Sequence, residues 1–350
     1  MRLKSVAASV PAALACTFAL AAAPPAGAGP IKHWAAFPGR EVRALSLSGS
    51  GVGSEPRFTA VQGRDGYVYI RGQFGLYRVL DDTGRNVQIA NNSGCTGWYK
   101  LTDVDVRSTI PRAICNSAGE IIVTSTTYRR RWPVPAPNWI GQIDATNRVT
   151  GSLTNVLTSD DGGFWFVYGM ARGIGRVWPS GRAVLRQYPG VGAITSIAAA
   201  GRDLYFVDDE CVLGRLRGLA LVASYHVPCG RGDAKVVATT DGAVWMLGGA
   251  SGSVSRYGRD GSRSSWSLGM KPTGVAVSRD GTAYVLGYQL PVSWKSHPLI
   301  AVIAPGRKAD LRVLPTLDAG SIAIDARDRL WISAPLAHGV TVIAPKGAWN

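Results

Sequence analysis

The chain has 350 residues with 43 Gly and 11 Trp, and its 38 Lys+Arg against 23 Asp+Glu give a formal charge of +15. A composition of 46% hydrophobic and 17% charged residues is globular and excludes a disordered chain. Glu, Lys, Gln and Met, the good formers of surface helix, are all scarce, which excludes an all-helical fold; Gly, β-branched and aromatic residues point instead to short strands and tight turns.

At the N-terminus, Arg2 and Lys4 precede an apolar run from Val6 to Ala23, and Ala26-Gly27-Ala28 fits the A-x-A cleavage pattern. Residues 1–28 read as a secretory signal peptide, too short and Ala-rich in its apolar part to span a membrane. A lipoprotein reading on Cys16 meets a poor lipobox in Ala13-Leu14-Ala15. Cleavage after Ala28 leaves 322 residues and, without Arg2 and Lys4, a charge of +13. No later apolar run approaches the roughly 20 residues of a membrane span. The expectation is a soluble, monomeric protein exported to the periplasm or the exterior. Cys95, Cys115, Cys211 and Cys229 remain, which in an exported chain points to two disulfides with three possible connectivities. Local pairing is favoured, and each bridge would contribute about 3 kcal/mol. A zinc site is the rival reading and lacks any C-x-x-C spacing.

From residue 58 onward one pattern recurs: a short apolar strand, a polar turn often reading Asp-Gly, then a strand with an aromatic residue. Its copies end at Tyr69, Ile122, Trp165, Tyr205, Trp245, Tyr284 and Trp331, a period near forty residues. Asp-Gly between apolar runs is a hairpin signal, because the turn needs a positive φ. A third strand follows (GLYRV, IGRV, LGRL, VSRY) and then a fourth (AVLRQY, ALVASY). Arg78, Arg176, Arg215 and Arg256 recur at one position of the third strand, which marks them as architectural. The expected fold is all-β: a seven-bladed β-propeller of four-stranded antiparallel blades over residues 58–350. The last unit stops one strand short. The N-terminal segment 29–57, through Glu41 to Leu47, is expected to supply that strand and close the ring.

The runs DGGFWFVYGMARGIGRVWPSGRAVLRQY, KPTGVAVSRDGTAYV and AGSIAIDARDRLWIS resemble the repeats of virginiamycin B lyase-like and NHL-type propellers. The resemblance implies the propeller fold. Its best-known member is an antibiotic-ring-opening lyase that uses magnesium with His and Glu residues near one face. Where that resemblance would place glutamate after the second strand, this chain has Gly72, Ser125, Tyr168, Asp208, Gly248, Gly287 and Ala334. Where it would place histidine at the entry of the first strand, the residues are Arg112, Asn155, Ser196, Lys235, Thr273 and Ser321. The implied catalytic set is not matched.

Two long second-to-third loops stand out, Thr126 to Trp139 and Gly287 to Leu299. Tyr128, Arg129, Arg130, Arg131 and Trp132 combine cationic forks with flat rings, a set able to grip phosphate or carboxylate; the plainer reading is a solvated basic loop whose Trp packs on the blade. Trp294, Lys295 and His297 repeat the mixture. His297 and His338 fall in corresponding loops of adjacent units, either sharing a metal or acting as acid and base, with Asp318 nearest, or as two ordinary surface histidines. His226 reads as structural. Asp208-Asp209-Glu210 is either a divalent-cation site or a loop pinned by Cys211. No P-loop, H-E-x-x-H, G-x-S-x-G or dinucleotide fingerprint is present.

The expected function is binding, without a catalytic set or a cofactor, of a ligand or cell-envelope component on a loop face. The partners in view are anionic polysaccharide, an envelope component or another exported protein, not nucleic acid. Two alternatives stand beside it: a metal-dependent lyase or lactonase-type hydrolase using a divalent cation, and a protein-interaction scaffold.

Overall fold

Apolar alternation broken every few residues by a turn signal makes antiparallel hairpins, and the computed structural model of the chain is assembled from them. It describes residues 41–46, 59–62, 67–72, 75–80, 86–91, 100–105, 112–117, 120–124, 129–133, 153–159, 161–168, 172–229, 234–239, 242–258, 260, 262–290, 292, 297–314, 319–334 and 339–344. These lie within the unit Lys32–Asn350. The expected signal peptide, 1–28, lies outside the described residues.

Strand β1 is Glu41–Ser46. The first sheet holds β2 (Thr59–Gln62), β3 (Val68–Gly72), β4 (Gly75–Val79) and β5 (Asn86–Asn91). The second holds β6 (Lys100–Asp105), β7 (Arg112–Ser117), β8 (Glu120–Thr124) and β9 (Arg129–Pro133). The third holds β10 (Leu153–Thr158), β11 (Phe164–Tyr168), β12 (Gly173–Val177) and β13 (Ala183–Gln187). The fourth holds β14 (Ile194–Ala200), β15 (Asp203–Asp208), β16 (Val212–Arg217) and β17 (Ala220–His226). The fifth holds β18 (Lys235–Ala238), β19 (Val244–Leu247), β20 (Ser253–Tyr257) and β21 (Arg263–Ser267). The sixth holds β22 (Met270–Val277), β23 (Ala283–Gln289), β24 (Pro298–Ile303) and β25 (Asp310–Val313). The seventh combines β26 (Ile322–Ile324), β27 (Leu330–Ala334) and β28 (Gly339–Ala344) with β1. The described residues therefore form seven four-stranded antiparallel sheets, and β1 completes the last, running in register from Glu41 opposite Ala344 to Ser46 opposite Gly339.

The turn between first and second strands has one repeated chemistry. In the third sheet the Ser159 N–H donates to the Gly163 carbonyl (3.0 Å) and the Gly162 N–H to the Ser159 carbonyl (3.1 Å), with Gly162 at φ 92°. The same pair of bonds recurs from Thr239 to Ala243 and from Ser278 to Thr282, with Gly242 at φ 76° and Gly281 at φ 82°. In the last sheet Asp328 takes the glycine position at φ 57°, a conformation Asp tolerates better than most residues.

From the third sheet to the seventh, second strands bury both faces. In β11, Phe164 and Phe166 join a cluster with Ile121, Val123 and Trp132 of the second sheet, while Trp165 and Val167 join Ile197, Leu204 and Phe206 of the fourth. The alternation continues through β15, β19, β23 and β27. It returns to the start, where Trp331, Val340 and Val342 pack on Val68, Ile70 and Val79. Last and first sheets thus share an apolar interface of the same kind as their neighbours.

The recurrent third-strand arginines are structural, as expected. Arg78, Arg176, Arg215 and Arg256 stand directly opposite Tyr69, Trp165, Tyr205 and Trp245. The Arg176 guanidinium lies 4.7 Å from the Trp165 ring centroid and pairs with Asp161; that of Arg215 lies 5.8 Å from the Tyr205 centroid and pairs with Asp203.

The second sheet differs from its expected register. The run ending at Ile122 belongs to β8, the third strand, because Lys100–Asp105 supplies a first strand ahead of it. Arg112 accordingly opens a second strand, and Ser125 follows a third. The physical reason is a short hairpin: Ser117 pairs with Glu120 across two residues, the spacing that Ala200 and Asp203 have in the first-to-second turn of the fourth sheet.

Two outcomes follow from these contacts. Deleting residues 29–50 removes β1 and uncovers β28, so the melting temperature should fall sharply; an unchanged transition would refute closure by this strand. For Asp203, burial would raise the pKa, but hydrogen bonds from Arg217 and Arg215 outweigh it and hold the carboxyl below its ordinary 3.8. A lowered folded-state pKa stabilises the fold above the unfolded value and stops doing so as pH falls through the folded value. Asp203→Asn should therefore cost about 1.5–3 kcal/mol at neutral pH. The gap from wild type should close as the solution is acidified below pH 3.8. A pH-independent difference in denaturant melts would contradict the assignment.

Candidate functional site

In each sheet the first-to-second and third-to-fourth turns share one face, and the second-to-third connections share the other with the links to the next sheet. The sequence reading places the binding site on the latter face. Asp208, at the end of β15, is the one carboxylate there among the described second-strand ends, and it is fully buried. Its oxygens accept the backbone N–H groups of Gly192 (2.7 Å), Val212 (2.7 Å) and Glu210 (3.0 Å). Asp209 accepts the Ala193 N–H at 2.7 Å. Cys211 adopts φ 66° and is bonded to Cys229 across a Cα–Cα distance of 5.7 Å, the local pairing expected for these two. The acidic loop is thus a brace: its carboxylates satisfy the orphan N–H groups of a tight connection. Cys95 lies outside the described residues, as does the side chain of Cys115.

First-strand entries carry hydroxyls that tie neighbouring sheets together. Thr195 Oγ1 donates to the Val207 and Ala234 carbonyls, both at 3.1 Å. Ser196 Oγ accepts the Val236 N–H at 3.2 Å, and Ser321 Oγ lies 2.9 Å from the fully buried Ser333 Oγ. Lys235, exposed, reaches the Thr273 carbonyl at 3.5 Å. These groups join strands. Among the described residues no three His, Cys, Asp or Glu side chains gather where a metal ion could sit.

The remaining sequence candidates are dispersed. His297 is exposed in the second-to-third connection of the sixth sheet, where its carbonyl accepts the Gln289 N–H at 3.4 Å. Trp294 and His338 lie outside the described residues. Tyr168 is the last residue of β11, opposite Leu153. His226 ends β17 and is exposed. On the neighbouring link, the Tyr188 hydroxyl donates to the Leu219 carbonyl at 3.1 Å; burial, opposed by Arg186, pushes its pKa up to about 12.

The basic run is where structure and sequence reading part most. Tyr128 lies outside the described residues, but Arg129, Arg130, Arg131 and Trp132 form β9, the outermost strand of the second sheet, rather than a second-to-third loop. Arg130 and Arg131 are exposed, whereas Trp132 is only 7% exposed and meets Phe164 edge-on at 5.7 Å. The Arg130 guanidinium lies 3.9 Å from the Trp132 ring centroid. A Cβ at Gly181, in the third-to-fourth turn of the next sheet, would lie 4.0 Å from the same indole. That turn fixes a second pair, Arg182 5.3 Å from the centroid of half-buried Trp178, with Arg176 5.5 Å from it. The sequence reading missed Trp178 and Arg182. Their signal is the Trp-Pro-Ser-Gly-Arg turn, which reads as turn chemistry alone until β9 is placed beside it.

No protein-family model matches the chain, and no curated protein matches it. Among solved structures, a streptogramin B lyase is similar at a TM-score of 0.65 and 16% identity, covering 87% of this chain and 97% of that one. Virginiamycin B lyase from Staphylococcus aureus is similar at 0.64 and 13%, covering 87% and 99%. The WD40 propeller domain of Doa1 is similar at 0.56 and 10%, covering 89% and 95%. At these identities the likeness is one of fold, and the chain has a virginiamycin B lyase-like β-propeller fold.

Proposed function

We propose that the protein is an exported propeller that binds an anionic ligand or envelope component and carries no acid–base centre of the lyase kind. One observation carries the reading: Asp208, the carboxylate best placed for chemistry on the loop face, is buried and engaged by three backbone N–H groups. The Cys211–Cys229 bond supports export, since such bonds persist in oxidising compartments. The charge of +15 favours anionic partners, and no helix among the described residues is long and apolar enough to cross a membrane.

The likeness to streptogramin B and virginiamycin B lyases, over 97% and 99% of their chains, favours one second reading, a metal-dependent lyase. Calorimetric titration separates the two. Magnesium, calcium and zinc salts are each expected to give only heats of dilution; a saturable heat, or linearisation of a streptogramin B antibiotic, would replace the binding reading with the lyase one. Replacing Asp208 with Ala is expected to cost about 2–4 kcal/mol in denaturant unfolding, because buried N–H groups lose their acceptor. A variant of unchanged stability would show the carboxylate to be free for other work.

A further inference from the structure

We infer that the ligand site lies on the outer rim between the second and third sheets, at the third-to-fourth turn of the third sheet, and that it takes an anionic polysaccharide. This rests on the binding reading and names its site and ligand class. Arg130 and Arg182 are its two cationic contacts. Both are exposed, and among the described residues no carboxylate pairs with either.

Each guanidinium is held against an indole, Arg130 at 3.9 Å from the Trp132 centroid and Arg182 at 5.3 Å from that of Trp178. A guanidinium fixed against a ring keeps its N–H edges free and loses little freedom when it grips a carboxylate or sulfate with two bonds. The supports are stiff. Trp132 is buried against Phe164, and the Trp178 turn is closed by two backbone bonds, Trp178 N–H to the Arg182 carbonyl at 2.9 Å and Gly181 N–H to the Trp178 carbonyl at 2.9 Å. Pro179 adds a fixed φ inside that turn. Gly181 joins the halves, since a Cβ there would lie 4.0 Å from Trp132.

Arg176 belongs to the same neighbourhood but is neutralised. Burial of Asp161 would raise its pKa, yet hydrogen bonds from Ser159 and Gly163 and the charge of Arg176 hold it low, so the pair stays ionised and structural. Among the described residues, the contrast between Arg176, paired with a carboxylate, and Arg130 and Arg182, paired with none, singles those two out.

Ligand class follows from what the rings do. Binders of single-stranded nucleic acid offer exposed aromatic faces on which bases stack. Here one indole is buried and the other half-buried, each beside a guanidinium, so among the described residues the site presents charge forks and no open stacking platform. A repeating polymer of carboxylates or sulfates along an outer strand fits that arrangement.

The test uses the full mature chain with dextran sulfate and polygalacturonate as probes, neutral dextran as a blank, and a single-stranded oligonucleotide as competitor. Arg130→Ser with Arg182→Ser is compared with Arg202→Ser plus Arg307→Ser, which removes the same charge from exposed positions on other sheets. The rim variant is expected to lose roughly tenfold in affinity. It should also flatten the slope of log affinity against log salt by roughly two, while the control keeps its affinity within about twofold. Equal losses in both would overturn the site. Failure of the wild-type chain to bind either polymer, or tighter binding of the oligonucleotide, would overturn the ligand class and leave the broader binding reading to the metal titration. Should the double variant unfold, Arg130→Lys keeps the charge and removes the fork; unchanged affinity there would overturn the role given to the stacked guanidinium.

Discussion

Among the described residues, the third to seventh sheets are apolar on both sides, and no such sheet can cover itself. The second strands make this concrete. In Phe164-Trp165-Phe166-Val167 successive residues point to opposite neighbours, so the strand is stable only between two other sheets. A linear stack obeying this rule would leave two apolar faces at its ends. The interface between Trp331, Val340 and Val342 and Val68, Ile70 and Val79 removes both. β1 then covers the hydrogen-bonding edge of β28, which would otherwise lie open.

The same constraint explains much of the polar composition. Cross-strand partners on the second and third strands are matched in volume: Phe166 faces Gly175 and Phe206 faces Gly214, where a Cβ would overlap the ring. Met246 faces Ser255 and Val285 faces Ala301, so a small third-strand residue leaves room for a large partner in these sheets too. The next position holds the arginine whose guanidinium covers the aromatic residue and reaches the turn aspartate. Arginine, aspartate and glycine are thus architectural in large part. Among the described residues, Arg130 and Arg182 are set apart by an indole that holds each guanidinium with no carboxylate paired to it, which is why they weigh more than the global excess of cations.

The hairpins, the repeat and the closing strand are legible in the chain because each has a local signature: a positive-φ glycine, an aromatic register, an unpaired final unit. The second sheet is not, because its signature sits in the wrong turn. Ser117 and Glu120 close a two-residue hairpin like the fourth sheet's first-to-second connection from Ala200 to Asp203, and the true first strand, Lys-Leu-Thr-Asp-Val-Asp, has too few apolar residues to announce itself. That single shift moves Arg129 to Trp132 from a loop to an outer strand. It also decides which neighbour they meet, since Trp132 packs on Phe164 only as part of β9. Trp178 and Arg182 are invisible as a site for a related reason: proximity across two sheets leaves no trace in linear spacing.

The loop face shows how one fold can keep its shape without a lyase-like carboxylate set. Two of the positions the resemblance would fill with glutamate are Gly248, just after β19, and Gly287, inside β23, and both lie where backbone and side chains close in. A Cβ at Gly287 would collide with the Lys271 carbonyl oxygen, and one at Gly248 would meet Ser253 and Ser251 hydroxyls and lie 2.9 Å from the Pro228 carbonyl oxygen. The Gly248 N–H already donates to the Ser253 carbonyl at 2.7 Å, which holds the connection down on that spot. A glutamate cannot enter either position without moving the main chain, and moving it would break the first-to-second strand pairing of Pro272 with Gly287. At a third position, Asp208 has a carboxylate, but its oxygens are needed to hold Gly192, Glu210 and Val212. Introducing glutamates at these positions therefore demands a rebuilt backbone at two sheets and a new brace at another, not three point substitutions.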